Sequence, residues 1–134
     1  MTLRYSATAI ADRLTSLNTD IGASAVLNIY TGAQPANVAT AATGTLIVSL
    51  PCNGTAFGAV GSGALTANSI TTTAATGAGT NTAGYFRIFK SGGTVAVVDG
   101  AIATSGSDLN LNSTSITVAQ NVSITSFVIT GAPV

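Results

Sequence analysis

The stretch that decides the fold is Gly84-Tyr85-Phe86-Arg87-Ile88-Phe89-Lys90, followed by Ser91-Gly92-Gly93 and then Thr94-Val95-Ala96-Val97-Val98-Asp99. A strand sends successive side chains to opposite faces. Tyr85, Phe86, Ile88 and Phe89 therefore place bulk on both faces, which predicts a strand in the middle of a sheet. Ser91-Gly92-Gly93 reads as a hairpin loop, and the second run returns beside the first. Gly100 reads as a β-bulge, with residues 101–104 continuing beyond it.

The same vocabulary of β-branched residues punctuated by glycine extends in both directions. Upstream, residues 24–30 and 45–50 read as strands, the second closed by Pro51 and the Asn53-Gly54 turn. Between them lie Thr31-Gly32-Ala33-Gln34-Pro35 and a run of small residues over 36–44. Residues 56–66 are glycine-rich and indeterminate, 68–75 read as a Thr-rich strand with one face in water, and 77–81 as a turn. Downstream, Leu109 and Leu111 alternate with Asn110 and Asn112, which predicts leucines inward and asparagines outward. Residues 115–119 and 122–130 read as further strands, with Gln120-Asn121 turning between them. In the last one the apolar parity switches, from Val122 and Ile124 to Phe127 and Ile129. A bulge near Thr125-Ser126, or burial of both faces, explains the switch.

One helix stands apart, over residues 6–17. Ala7, Ile10, Ala11, Leu14 and Leu17 fall on one face at helical spacing, Ser6 is a suitable N-cap, and residues 18–22 end it. Short strands separated by glycine turns, with no alternating helices, predict a mainly β fold. The expected form is an antiparallel β-sandwich, jelly-roll or Greek-key-like, with one short N-terminal helix. Residues 1–22 are the N-terminal segment and helix, and residues 23–134 a single β-sandwich domain. Ser-Ile-Thr recurs at 69–71, 115–117 and 123–125, but the unequal spacing marks strand composition rather than an architectural repeat.

Composition removes whole classes of function. The 134 residues carry four Lys and Arg against four acidic residues (Asp12, Asp20, Asp99 and Asp108), so formal net charge is zero. Charged residues make up 6% of the chain, against about a quarter in ordinary proteins. With no His, the Ser-His-Asp triad and imidazole metal sites are excluded. Four scattered cations do not make the basic patch that gripping nucleic acid requires. Disorder is not expected either, because 46% of residues are hydrophobic and mean hydropathy is +0.54. No apolar run approaches the roughly 20 residues of a membrane span, and Asp12 interrupts the start where a signal peptide has its apolar core. Cys52 is the only cysteine, so no internal disulfide forms, and it reads as a partly buried, unactivated thiol. These features predict a product made in the cytoplasm, with no cofactor, metal or catalytic residue.

The remaining constellations read as structure. Asp108-x-Asn110-x-Asn112 has the oxygen spacing of a calcium loop but lacks the glycine and the final glutamate. Asp99 and Asp108 are not placed together by any pattern, so a carboxylate pair is not expected. Gly61-x-Gly63 and Gly77-x-Gly79 lack the setting of a nucleotide loop. Tyr30, Tyr85, Phe86 and Phe89 read as core and sheet packing rather than base-stacking platforms.

What is left is the surface as a whole. Ala, Gly, Ser and Thr fill 73 of the 134 positions. Such a surface docks without the desolvation penalty of charged groups, and zero net charge favours association. A permanent assembly follows, as a homodimer or homotrimer. Leu3, Arg4 and Tyr5, lying ahead of the helix, are the expected partner-binding residues, since Arg and Tyr are enriched among interface anchors.

Several segments resemble a family. They are Leu3-Arg4-Tyr5-Ser6, Leu27-Asn28-Ile29-Tyr30-Thr31-Gly32 with Gln34-Pro35, and Gly44-Thr45-Leu46. Ala83-Gly84-Tyr85-Phe86-Arg87-Ile88, Thr104-Ser105-Gly106-Ser107-Asp108-Leu109-Asn110-Leu111 and Val122-Ser123-Ile124-Thr125-Ser126-Phe127 belong to the same set. Together they resemble small virion structural proteins encoded among tailed-phage and prophage genes, with residues 52–80 departing most. The resemblance implies a non-enzymatic capsid cement or decoration protein in the virion. Its implied partners are the major capsid protein and copies of itself, with no nucleic acid and no membrane. A tail-fibre or tail-tip module binding a receptor or glycan, or a tail or neck ring component, is the alternative.

Overall fold

The computed structural model describes residues 2–131. The chain is mainly β with a single N-terminal helix, as the sequence predicts. In order, the elements are α1 (Ala7–Ile21), β1 (Val26–Tyr30), β2 (Leu46–Pro51), β3 (Ala64–Thr66), β4 (Thr73–Ala74) and β5 (Thr80–Thr82). There follow β6 (Tyr85–Phe89), β7 (Ala96–Ala103), β8 (Leu109–Leu111), β9 (Ser115–Thr117), β10 (Asn121–Val122) and β11 (Ile124–Thr130).

Ser6 caps α1 as expected: its Oγ accepts from the Ala9 N–H at 3.1 Å. The helix runs a turn beyond the expected end. Ile21, four residues after Leu17, continues the apolar stripe and is buried, and Asn18 Nδ2 donates to the carbonyls of Phe57 and Gly58. Gly22, at φ +74°, ends it.

Seven strands form one curled sheet in the order β2-β1-β6-β7-β8-β11-β3, and two two-stranded ribbons, β10-β4 and β5-β9, flank it. This corrects the antiparallel sandwich predicted from strand spacing in two respects. The described strands are shared between one large sheet and two small ribbons rather than two comparable sheets. The large sheet is also mixed, because β7 and β8 run parallel, with Ile102 opposite Leu109 and Ala103 opposite Asn110. Parallel neighbours ordinarily need a crossover of about a dozen residues or more. Here residues 104–108 suffice, because the loop is stapled to itself. Asn110 Oδ1 accepts from the Ser107 N–H at 3.1 Å, its Nδ2 donates to the Ser107 carbonyl at 2.8 Å, and Ser107 Oγ donates to the Ala101 carbonyl. Asn110 is consequently buried, not outward as its alternation with the leucines predicts.

Other boundaries shift for local reasons. β1 begins at Val26 because Ser24 has φ +54°, outside the strand region. Only Thr73–Ala74 of the expected 68–75 strand pairs, and part of the expected 77–81 turn is β5. Gly100 is not a bulge: it sits in register opposite Phe86, and a Cβ there would lie 2.9 Å from that ring. The expected bulge in the last strand is present, since Ile124 pairs Leu111 and Ser126 pairs Asn110, which leaves Thr125 unmatched.

The inner face of the sheet carries Leu27 and Ile29 from β1 and Phe86 and Ile88 from β6, packed with Ile10, Leu14 and Ile21 of α1. Phe57, Phe127 and Phe86 meet edge to face in series, at centroid distances of 5.2 and 5.0 Å. All five residues of β6 are buried, as expected of a central strand, so its outer face is covered too.

Candidate functional site

The outer face of β1 and β6 carries Arg87, the chain's buried charged residue among those described. Alternation turns Val26, Asn28 and Tyr30 outward from β1 and Tyr85, Arg87 and Phe89 outward from β6. Asn28 stands opposite Arg87, and Arg87 opposite Asp99 of β7, so three polar side chains form a row across the sheet. Arg87 is 2% exposed and pairs with Asp99 through Nη2 and Oδ2 at 2.9 Å. Tyr30 and Tyr85 stack beside this row, 5.2 Å apart at 16°.

Residues 31–45 fold over this face as a strap. Its ends meet where the Thr31 N–H donates to the Thr45 carbonyl and the Thr45 N–H to Thr31 Oγ1. Arg87 Nη1 donates to the Thr40 carbonyl at 2.7 Å. Tyr85 Oη donates to the Thr43 carbonyl and accepts from its N–H, while Gln34 Nε2 donates to Asp99 Oδ1. Two atoms of the row, Arg87 Nε and Asn28 Oδ1, are buried with no hydrogen-bond partner among the described residues. A cavity of about 580 Å³ opens between the strap and the strand ends, lined by Val38, Thr40, Phe89, Val95 and Ala96 among others. Chemically the row is a clamp: the Arg87 charge is matched by Asp99, and its donors hold the strap's backbone.

The residues singled out from sequence are scattered. Asp99 lies in the buried row, whereas Asp108 is exposed in the 104–108 loop, so the two do not form a carboxylate pair. Asp108, Asn110 and Asn112 do not converge, because the Asn110 side chain is committed to Ser107 and Ser126. Cys52 is half-buried, and burial pushes its thiol up to about 11, which leaves it protonated and unreactive at neutral pH. Tyr30 and Phe89 pack in the outer cluster and Phe86 in the core, as sheet packing predicts.

The N-terminal trio is exposed, with Leu3 at 75% and Tyr5 at 39%. Tyr5 is held by its own helix, its ring under the Arg13 guanidinium at 5.1 Å. Among the described residues the only ion pairs are Arg87–Asp99 and Lys90–Asp20, so Arg4 and Asp12 are both unpaired there. Sequence reasoning missed the Arg87 row. Its signal was an arginine at the centre of a strand with bulk on both faces, which demands a buried partner in a chain with four acids.

No helix among the described residues is long and apolar enough to cross a membrane, and no three His, Cys, Asp or Glu side chains gather among them. No protein-family model matches the chain, and no curated protein or solved structure matches it significantly.

Proposed function

We propose that this chain is a non-enzymatic structural protein of a tailed-phage particle, a capsid cement or decoration protein that binds and stabilises the shell. The observation that carries the reading is the segment over residues 2–4 ahead of α1, which is exposed throughout, Leu3 at 75%. A terminal segment of this kind gains order only from something it is laid against. The near-neutral surface supports the same reading, since it can be covered over a large area with few charges to desolvate. The segments quoted above as resembling small virion proteins supply the particle context, the major capsid protein as partner and the virion as location.

The test is attachment to purified shells lacking the protein. Deleting residues 1–5 is expected to abolish binding and to leave thermal unfolding of the free protein nearly unchanged. Retained binding, or a large loss of intrinsic stability, overturns the role given to the arm. Gel densitometry of intact particles separates the cement reading from a tail-fibre or neck component. Cement is expected at a copy number comparable to the shell protein, and a tail-tip or ring protein at a small fraction of it.

A further inference from the structure

We propose that Asn53 is a site of spontaneous covalent modification, at which the side-chain amide cyclises onto the Gly54 nitrogen and is hydrolysed to a carboxylate. The chemistry is built into the chain and holds whatever the chain assembles with.

Ring closure at an asparagine needs an unshielded nitrogen on the next residue, a side-chain carbonyl carbon folded back toward it, and an amide nitrogen free to leave. The chain has nine asparagines, and Asn53 alone is followed by glycine. Both residues are exposed in the loop that leaves β2. Glycine has no side chain to screen its nitrogen, and nothing lies within 4 Å of where a Cβ at Gly54 would stand. The Gly54 N–H makes no hydrogen bond among the described residues. Asn53 Oδ1 accepts from the Thr55 N–H at 3.3 Å, an Asx turn that folds the side chain back across the Gly54 peptide. That bond also draws electron density from Cγ, while Nδ2 is left to solvent.

The nearest competitors in the sequence are held. Asn68 and Asn112 are each followed by serine. Asn68 Nδ2 donates to the Thr55 carbonyl at 2.8 Å, and Asn112 is bonded at both ends of its amide, to Asn121 and Ser123. Asp99 precedes Gly100 but lies in β7, with its two carboxylate oxygens taken by Arg87 and Gln34.

The steps balance with water as the only co-reactant. The Gly54 nitrogen gives its proton to a solvent base and bonds to Asn53 Cγ. The Cγ–Nδ2 bond then breaks, and Nδ2 takes up a proton and leaves as ammonia. Water adds to one of the two carbonyls of the resulting succinimide and opens the ring, which yields aspartate or isoaspartate at position 53. An ordinary aspartate, with a pKa of about 3.9, is ionised at neutral pH, so a chain of zero formal net charge becomes an anion. The isoaspartyl product also threads the backbone through Cγ and lengthens it by one methylene. This turn is laced to the residues just ahead of β1, by the Ser24 N–H on the Gly54 carbonyl and the Cys52 N–H on the Ala25 carbonyl. The longer backbone should therefore pull Gly54 away from Ser24.

The test holds the full chain folded in alkaline and in mildly acidic buffer, followed by isoelectric focusing and by peptide mapping with tandem mass spectrometry. Conversion is expected to be faster in the alkaline buffer, because a base must take the Gly54 proton. It should give one new band, a single charge more acidic, with the change at Asn53, and hydrogen exchange at Ser24 should rise in the converted fraction. Gly54→Val sets a β-branched side chain beside the attacking nitrogen and should slow the new band about tenfold or more. The open space around Gly54 accommodates that side chain, and unchanged thermal unfolding checks that the variant is folded. Asn53→Gln would have to close a larger ring and should give no band. A chain that stays a single band, a change mapped to Asn68 or Asn112 instead, conversion seen only after unfolding in urea, or a rate indifferent to Gly54→Val overturns the proposal.

Discussion

At the scale of single residues, the two ion pairs among the described residues should behave in opposite ways, because burial decides what a charge contributes. Lys90 and Asp20 meet at 2.7 Å but are 39% and 59% exposed, where water and salt screen them. Arg87 and Asp99 are 2% and 9% exposed, and neither charge has solvent to fall back on. Lys90→Ala is therefore expected to change stability by less than about 1 kcal/mol. Asp99→Ala should cost about 3–5 kcal/mol, since it leaves the Arg87 guanidinium buried without its counter-charge. Urea unfolding of the two variants checks the contrast, and limited proteolysis adds a local readout. Loss of Asp99 also frees Gln34 and loosens Arg87 on Thr40, so cleavage within residues 31–45 should accelerate well before the rest of the chain. Equal stability losses in the two variants would contradict this reading. The need of Arg87 for a buried partner was legible in the sequence, but the identity of that partner was not. Arg87 and Asp99 are twelve positions apart in a hairpin, and only the register, with its shift between Ile88 and Phe89, puts them opposite each other.

At the scale of elements, what could be read depended on whether the signal was local. The helix was legible through its 3.6-residue apolar spacing and its serine cap, and the Thr125 bulge through the parity switch between Ile124 and Phe127. The central strand was legible because bulk on both parities needs cover on both faces. The pairing of β3 with β11 was not, since Ala64–Thr66 is too short to show a pattern and its partner lies some sixty residues later. The parallel step from β7 to β8 was equally hidden, because its cause is a side chain working on its own loop. Asn110 bonds to Ser107 twice and to Ser126 Oγ at 2.8 Å, so it joins the 104–108 loop to β11 as well as closing it. Asn110→Ala should cost about 1–3 kcal/mol by leaving those buried groups unmatched. The same substitution should raise hydrogen exchange at Ser107 and Leu109 more than in β1 or β6. Uniform exchange across the sheet would show that the loop is held by something else.

At the scale of the whole molecule, the curled sheet has two outer strands, β2 and β3, and the chain occupies both with its own loops. Thr76 and Gly77 donate to the Ile47 carbonyl of β2, and Thr71 donates to that of Pro51. On the other side Gly58 donates to Thr66, and Gly61 exchanges hydrogen bonds with Ala64. An unprotected edge is a template for a further strand, and a chain with four lysines and arginines cannot guard its edges with charge. Gly77 is central to the first cover, since a Cβ there would come within 3.1 Å of Ile47 Cα and the Leu46 carbonyl. Gly77→Val is therefore expected to lift residues 71–77 off β2, and the concentrated variant should form thioflavin-binding aggregates that the parent does not. A soluble variant with the parent's exchange pattern in β2 would contradict that role. The covered edges also fix what kind of material this protein can make. A sheet closed off in both directions has a definite size, so crowding many copies side by side cannot lengthen it into a fibre.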